Sequence, residues 1–168
     1  MIIGKKEYID KMKAHPLARA FRVDKMTLSA MEATFFEYLD RTTCRKNIPI
    51  LRMITMTAGE LEKKAEALKA VLEKETEGFI FQVEACQDQV GGGSAPGVML
   101  PGYAVSVRSE AVTEARIERT LRKAELPVIA HVFRDAVYLN VRTIEEKEYP
   151  LIAKALGSTK NCDREDQE

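Results

Sequence analysis

Between Leu72 and Phe79 the spacing of apolar residues changes, and that change decides the fold class. Upstream, Leu61, Ala65, Leu68 and Leu72 recur every three or four positions, the mark of one face of an α-helix. Downstream, Phe79, Phe81, Val83 and Ala85 alternate with Ile80, Gln82, Glu84 and Cys86, as in a strand with one buried face. The helix opens on Thr57-Ala-Gly-Glu60, where hydroxyl and carboxylate satisfy orphan amides reciprocally. Tyr103, Val105 and Val107 alternate again, giving a second strand, and Thr113 is placed to cap a helix holding Ile117 and Leu121. PVIAHVFRDAVYLNVRT reads as a hairpin turning at Arg134-Asp135-Ala136, with Val137, Leu139 and Val141 on one face. Thr143-Ile-Glu-Glu146 reads as a second capping box, opening a last helix that ends near Gly157. This order predicts an α+β fold, an antiparallel sheet of about four strands covered by helices.

The first third is helical in pattern. Met1–Ile3 is a scrap of apolar strand, and a helix carrying Tyr8, Ile9 and Met12 must stop near His15, because Pro16 disfavours a helical residue before it. Thr27 is the N-cap candidate for an amphipathic helix over Thr27–Asp40, with Leu28, Met31, Phe35 and Leu39 at helical spacing. Asn47-Ile-Pro49 interrupts the pattern before a short apolar run, ILRMIT. The expected division is a helical linker over 1–26, a domain over 27–156, and a polar, disordered tail over 157–168.

Composition bounds the function. A chain of 168 residues, 45% hydrophobic, can bury a real core. Its 26 basic and 26 acidic residues give a net charge of +0, so no overall field draws in nucleic acid. No apolar run approaches the ~20 residues that span a bilayer, and no secretory signal opens the chain. Three scattered cysteines without a CxxC pair argue against disulfides and zinc, with the cytoplasm as default compartment.

Few side chains invite chemistry. Gly91-Gly92-Gly93-Ser94 is either a phosphate cradle or a plain joint between strands, and the missing P-loop and dinucleotide spacing favours the joint. Arg19 and Arg22, three apart after Pro16, are either a two-pronged anion clamp or two solvated arginines. His131 reads as a structural residue. Cys44, beside Arg41, Arg45 and Lys46, is either a thiol with a lowered pKa or a surface thiol without a role. No metal cluster, triad or pair of acids stands out.

Several blocks, however, resemble a known family in sequence and in order. They are GKKEYIDKMKAHPLARAFRVDKMTLSAMEAT, IPILRMIT, QVGGGSAPGVMLPGYAVSV and PVIAHVF…VYLNVRTI. Together they resemble the C-terminal part of bacterial selenocysteine synthase, L-seryl-tRNA(Sec) selenium transferase, from about Ile2 to Leu156. That resemblance implies a fold-type I pyridoxal phosphate enzyme that converts seryl-tRNA(Sec) to selenocysteinyl-tRNA(Sec) with selenophosphate as donor, through an aminoacrylyl intermediate. It implies a homo-oligomer, assigns Arg19 and Arg22 to the selenophosphate anion, and makes Gly91, Gly92, Gly93 and Ser94 a candidate active-site loop, a close-approach loop of the small domain. The family's Schiff-base lysine has no match: Asp24-Lys25 precedes Met-Thr-Leu rather than a glycine-rich stretch, so Lys25 takes no such role. The chain then reads as a fragment lacking the cofactor-binding and N-terminal tRNA-binding domains, inactive alone and without bound cofactor. The competing readings are a fragment of a related lyase on the same scaffold, and a non-catalytic oligomerisation or interaction domain.

Overall fold

The computed structural model describes residues 2–91 and 95–159. Its packing divides into two compact units, Met1–Leu51 and Arg52–Glu168. The division falls inside a helix.

The first unit is helical: α1 (Lys6–Ala14), α2 (Leu17–Ala20), α3 (Lys25–Glu37) and α4 (Cys44–Asn47), followed by α5 (Pro49–Thr55), which crosses into the second unit. Ile2 and Ile3 form no strand. α3 starts two residues earlier than its sequence suggests. Asp24 is its N-cap, accepting from the Thr27 amide at 2.9 Å and the Thr27 hydroxyl at 2.8 Å. Aspartate outcompetes threonine here because its carboxylate takes both donors and faces the positive helix end. That bonding holds the Asp24 carboxyl below its usual range, with the Thr27 amide as the largest cause. The helix is not amphipathic in the expected sense: Met26, Leu28, Phe35 and Phe36 are all exposed, and no residue of α1, α2 or α3 is buried. ILRMIT is helical, with Pro49 at its first position, where the missing N–H costs nothing.

The second unit holds the core. α6 (Ala58–Glu75) is followed by β1 (Ile80–Gln89), β2 (Met99–Arg108), α7 (Glu114–Lys123), β3 (His131–Phe133), β4 (Ala136–Asn140), a 3₁₀ turn (Glu146–Glu148) and α8 (Tyr149–Gly157). The strands form one antiparallel sheet in the order β1-β2-β4-β3, which is the α+β sheet of four strands expected. The Thr57–Glu60 capping box forms in full, and Leu61, Ala65, Leu68 and Leu72 of α6 are completely buried. They meet Phe81, Val105, Val107, Val137 and Leu139 from one face of the sheet, with Ile117, Leu121, Ile152 and Leu156 of α7 and α8. Thr113 caps α7 as its position suggests.

Two local readings shift. The β3–β4 turn has only two residues, Arg134 and Asp135, both left-handed at φ 47° and 57°, and Ala136 already belongs to β4. Two positive φ angles match the twist of the flanking strands. The second capping box is Glu145 with Glu148, not Thr143 with Glu146. Pro150 sets this: in a helix opened at Thr143 it would sit in the interior, where it lacks an amide and clashes with the preceding turn. In the observed helix it lies in the first turn, where both faults vanish. α8 runs through Gly157 and Thr159 is buried; residues 160–168 lie outside the described residues.

Candidate functional site

Arg19 and Arg22 lie in the first unit. Pro16 starts the short α2, and the His15 Nδ1 accepts from the Leu17 amide at 3.2 Å, fixing the entry of the turn. Arg19 is in that turn. Arg22 falls beyond its end, because Phe21 has already left helical geometry, so a continuous helix does not set both side chains on one side. Both arginines are exposed, and among the described residues neither makes an ion pair or a side-chain hydrogen bond. Five guanidinium donors on each remain available for an oxyanion.

The glycine block lies in the connection from β1 to β2. Gly91 has φ +57° and a Cβ there would meet nothing within 4 Å, so conformational freedom is what the position demands. Gly92, Gly93 and Ser94 lie outside the described residues.

At the base of this connection sits a buried polar network that the sequence did not reveal. The Arg142 guanidinium donates to three separate segments: Nε to the Asp88 carboxylate at 2.6 Å, and its terminal nitrogens to the Met53 and Pro101 carbonyls at 2.7 Å each. The two side chains of the ion pair are only 8% and 9% exposed. Asn140 donates to the other Asp88 oxygen and accepts from the Arg142 amide at 2.9 Å. Gly102 makes room for all this, since a Cβ there would stand 2.2 Å from an Asp88 oxygen. Asp88, Asn140 and Gly102 sit on the sheet face away from the helices, where alternation reads as solvent-facing, and Asp88 and Arg142 are 54 positions apart. Only a charge at the end of each of two strands hinted at the pair.

Cys86 belongs to the same network, its thiol donating to Asp88 at 3.4 Å. Burial, then the Asp88 charge, push its pKa up to about 12. Above its ordinary value the thiol favours the neutral form in the fold, so its contribution to stability is intact below about pH 9 and fades as pH rises toward 12. The native chain is therefore expected to leave Cys86 unreactive to a disulfide reagent at about pH 8, where an ordinary thiol reacts readily. Peptide mapping after labelling checks this: rapid native modification of Cys86 would contradict it. Cys44, read as a surface thiol, is instead buried at 7% exposure and donates to the Arg41 carbonyl. His131 is exposed and stacks on Phe133.

Beside Arg142 a cleft of about 380 Å³ is lined by Arg52, Met53, Met56, Lys64, Ile144 and Glu145, among others. Burial pulls Lys64 below the usual lysine range, against the opposing charge of Glu146. Its ammonium donates to the Ile144 carbonyl at 2.7 Å, tying α6 to the segment before α8. Glu145 bonds both Arg52 at 2.8 Å and Lys147 at 2.7 Å. The charges here are matched to one another. Among the described residues no group of three or more His, Cys, Asp or Glu could hold a metal, and no helix is long and apolar enough to cross a membrane.

Comparison with known proteins places this architecture. The sequence model of the L-seryl-tRNA selenium transferase family, SelA, matches residues 1–145. The chain is 43% identical over 154 residues to an L-seryl-tRNA(Sec) selenium transferase of Clostridium botulinum strain Hall, covering 92% of this chain and 33% of that protein. It is 40% identical over 156 residues to one of Clostridium perfringens strain ATCC 13124, covering 93% and 34%. The chain thus spans about a third of the length of the curated relatives it matches. With a family model over residues 1–145 and relatives 40–43% identical over more than nine-tenths of its length, the chain belongs to the L-seryl-tRNA selenium transferase family.

Proposed function

We propose that this chain supplies the donor-binding arginines of an enzyme that converts seryl-tRNA(Sec) to selenocysteinyl-tRNA(Sec) with selenophosphate, acts in the cytoplasm as a homo-oligomer, and is inactive as this stretch alone. The observation that carries the reading is the pair Arg19 and Arg22, exposed and without carboxylate partners, in a chain of this family. A forked guanidinium matches a phosphate-like oxyanion, and an internal salt bridge would have consumed those donors.

The family implies pyridoxal phosphate, which when bound supplies an electron sink for elimination and addition at the seryl β-carbon. Neither Lys25 nor Lys64 is assigned to its aldehyde. Lys25 is exposed in the first turn of α3, and Lys64 is engaged by the Ile144 carbonyl. No step is assigned to any lysine of this chain, and the part proposed for it is to hold and orient the donor.

In an intact enzyme carrying this stretch, Arg19→Ala or Arg22→Ala is expected to lower selenium transfer at limiting selenophosphate by about 10- to 150-fold, the loss of one set of charge-assisted hydrogen bonds. Binding of seryl-tRNA should be unchanged. Single-turnover transfer measured across donor concentration, at saturating tRNA, separates the two. Wild-type donor affinity in both variants would return the arginines to ordinary solvated residues.

A further inference from the structure

His15 is the joint between α1 and α2, and three hydrogen bonds meet on it. Its amide donates to the Met12 carbonyl at 3.2 Å and closes α1. Its carbonyl accepts from the Ala18 amide at 2.9 Å, and its Nδ1 accepts from the Leu17 amide at 3.2 Å. Pro16 has no amide, so Leu17 and Ala18 carry the first two free N–H groups of the α2 turn, and His15 takes both.

Packing does not hold that turn. α2 has four residues, and no residue of α1 or α2 is buried. A helix of one turn does not sustain itself by propagation, and most helical stability in proteins comes from packing. The local bonds at its entry therefore decide how often the turn is formed. From there the Arg19 amide donates to the Pro16 carbonyl at 3.2 Å, and the Arg22 amide to the Arg19 carbonyl at 3.4 Å. Both arginine backbones are set by this one turn.

We infer that His15 is a positioning residue for the donor site, holding the turn that carries Arg19 through the bond from the Leu17 amide to its Nδ1. The inference deepens the donor reading of Arg19 and Arg22 and rests on it. Nδ1 is bonded to Cγ, as Oδ1 is in asparagine, and it takes the amide two residues on, which is the bond of an Asx turn. Asparagine at this position keeps the acceptor, and alanine removes it. A donor that binds only the ordered turn loses apparent affinity in proportion to the turn lost.

The test uses an intact enzyme carrying this stretch, with selenium transfer measured across selenophosphate concentration at saturating seryl-tRNA. His15→Ala is expected to raise the KM for selenophosphate by about 3- to 10-fold, with kcat unchanged. His15→Asn should stay within about twofold of the wild type. Added to Arg19→Ala, His15→Ala should cost less than it does alone, because it acts through that turn. On the 168-residue chain, the Leu17 amide should exchange with solvent faster in His15→Ala and not in His15→Asn, as read by NMR. His15 is exposed, so circular dichroism should be the same in all variants. If Arg19→Ala impairs donor use and His15→Ala does not, or if asparagine and alanine do equal harm, this inference falls and the donor reading stands. If Arg19→Ala and Arg22→Ala both keep wild-type donor affinity, the donor reading falls and this one falls with it.

Discussion

Arg142→Ala is expected to destabilise the second unit by about 3–5 kcal/mol, the range for removing one partner of a buried ion pair. Alanine would leave the Asp88 carboxylate enclosed with only Asn140 and the Cys86 thiol to solvate it. It would also strip the Met53 and Pro101 carbonyls of their donor. Arg142→Lys should recover only part of the loss, because a single ammonium cannot reach three acceptors on three segments at once. Urea unfolding measured by circular dichroism gives the value. The combined Arg142→Ala and Asp88→Ala variant should lose less than the sum of the single losses, because the second change removes the stranded charge. A single-variant loss under about 1 kcal/mol would mean the pair behaves as a solvated one.

Leu68→Ala is expected to cost about 2–5 kcal/mol, from the lost transfer energy of the side chain and the cavity left where α6 meets the sheet. Leu68 is fully buried within the core cluster, on a helix that packs on β1, β2 and α8. The same unfolding experiment applies. A change within about 0.5 kcal/mol is typical of surface positions, and would place Leu68 outside the core. The exposed Leu28 of α3 makes the natural control.

These two sites differ in how far the sequence announced them. Leu68 was legible because its information is local: a capping box, a run of good helix formers and an apolar repeat all agree. The strands were legible for the same reason, through alternation. Arg142 was not, since what makes it structural is the approach of Asp88, Met53 and Pro101 from distant parts of the chain. The apolar spacing of α3 was read as one buried face, yet apolar residues occur around the whole helix and none is buried. Periodicity reports where apolar groups recur, not what covers them. The capping shift at Glu145 shows a third case, in which one proline five positions downstream overrode a well-formed local motif. Arg19 and Arg22 became candidates through resemblance, because two exposed arginines carry no signal of their own.

The strand order β1-β2-β4-β3 has a consequence for how the second unit assembles. β1 with β2, and β3 with β4, are each neighbours in sequence, joined by a short connection or a tight turn. Only the β2–β4 pairing joins distant parts of the chain. Most of the sheet can therefore zip locally, and the search for the native topology reduces to one ring closure, that of the segment holding α7. Substitutions among the residues that register β2 against β4, from Ala104 with Asn140 to Val107 with Val137, are therefore expected to slow folding more than substitutions within either local pairing, which stopped-flow refolding would measure.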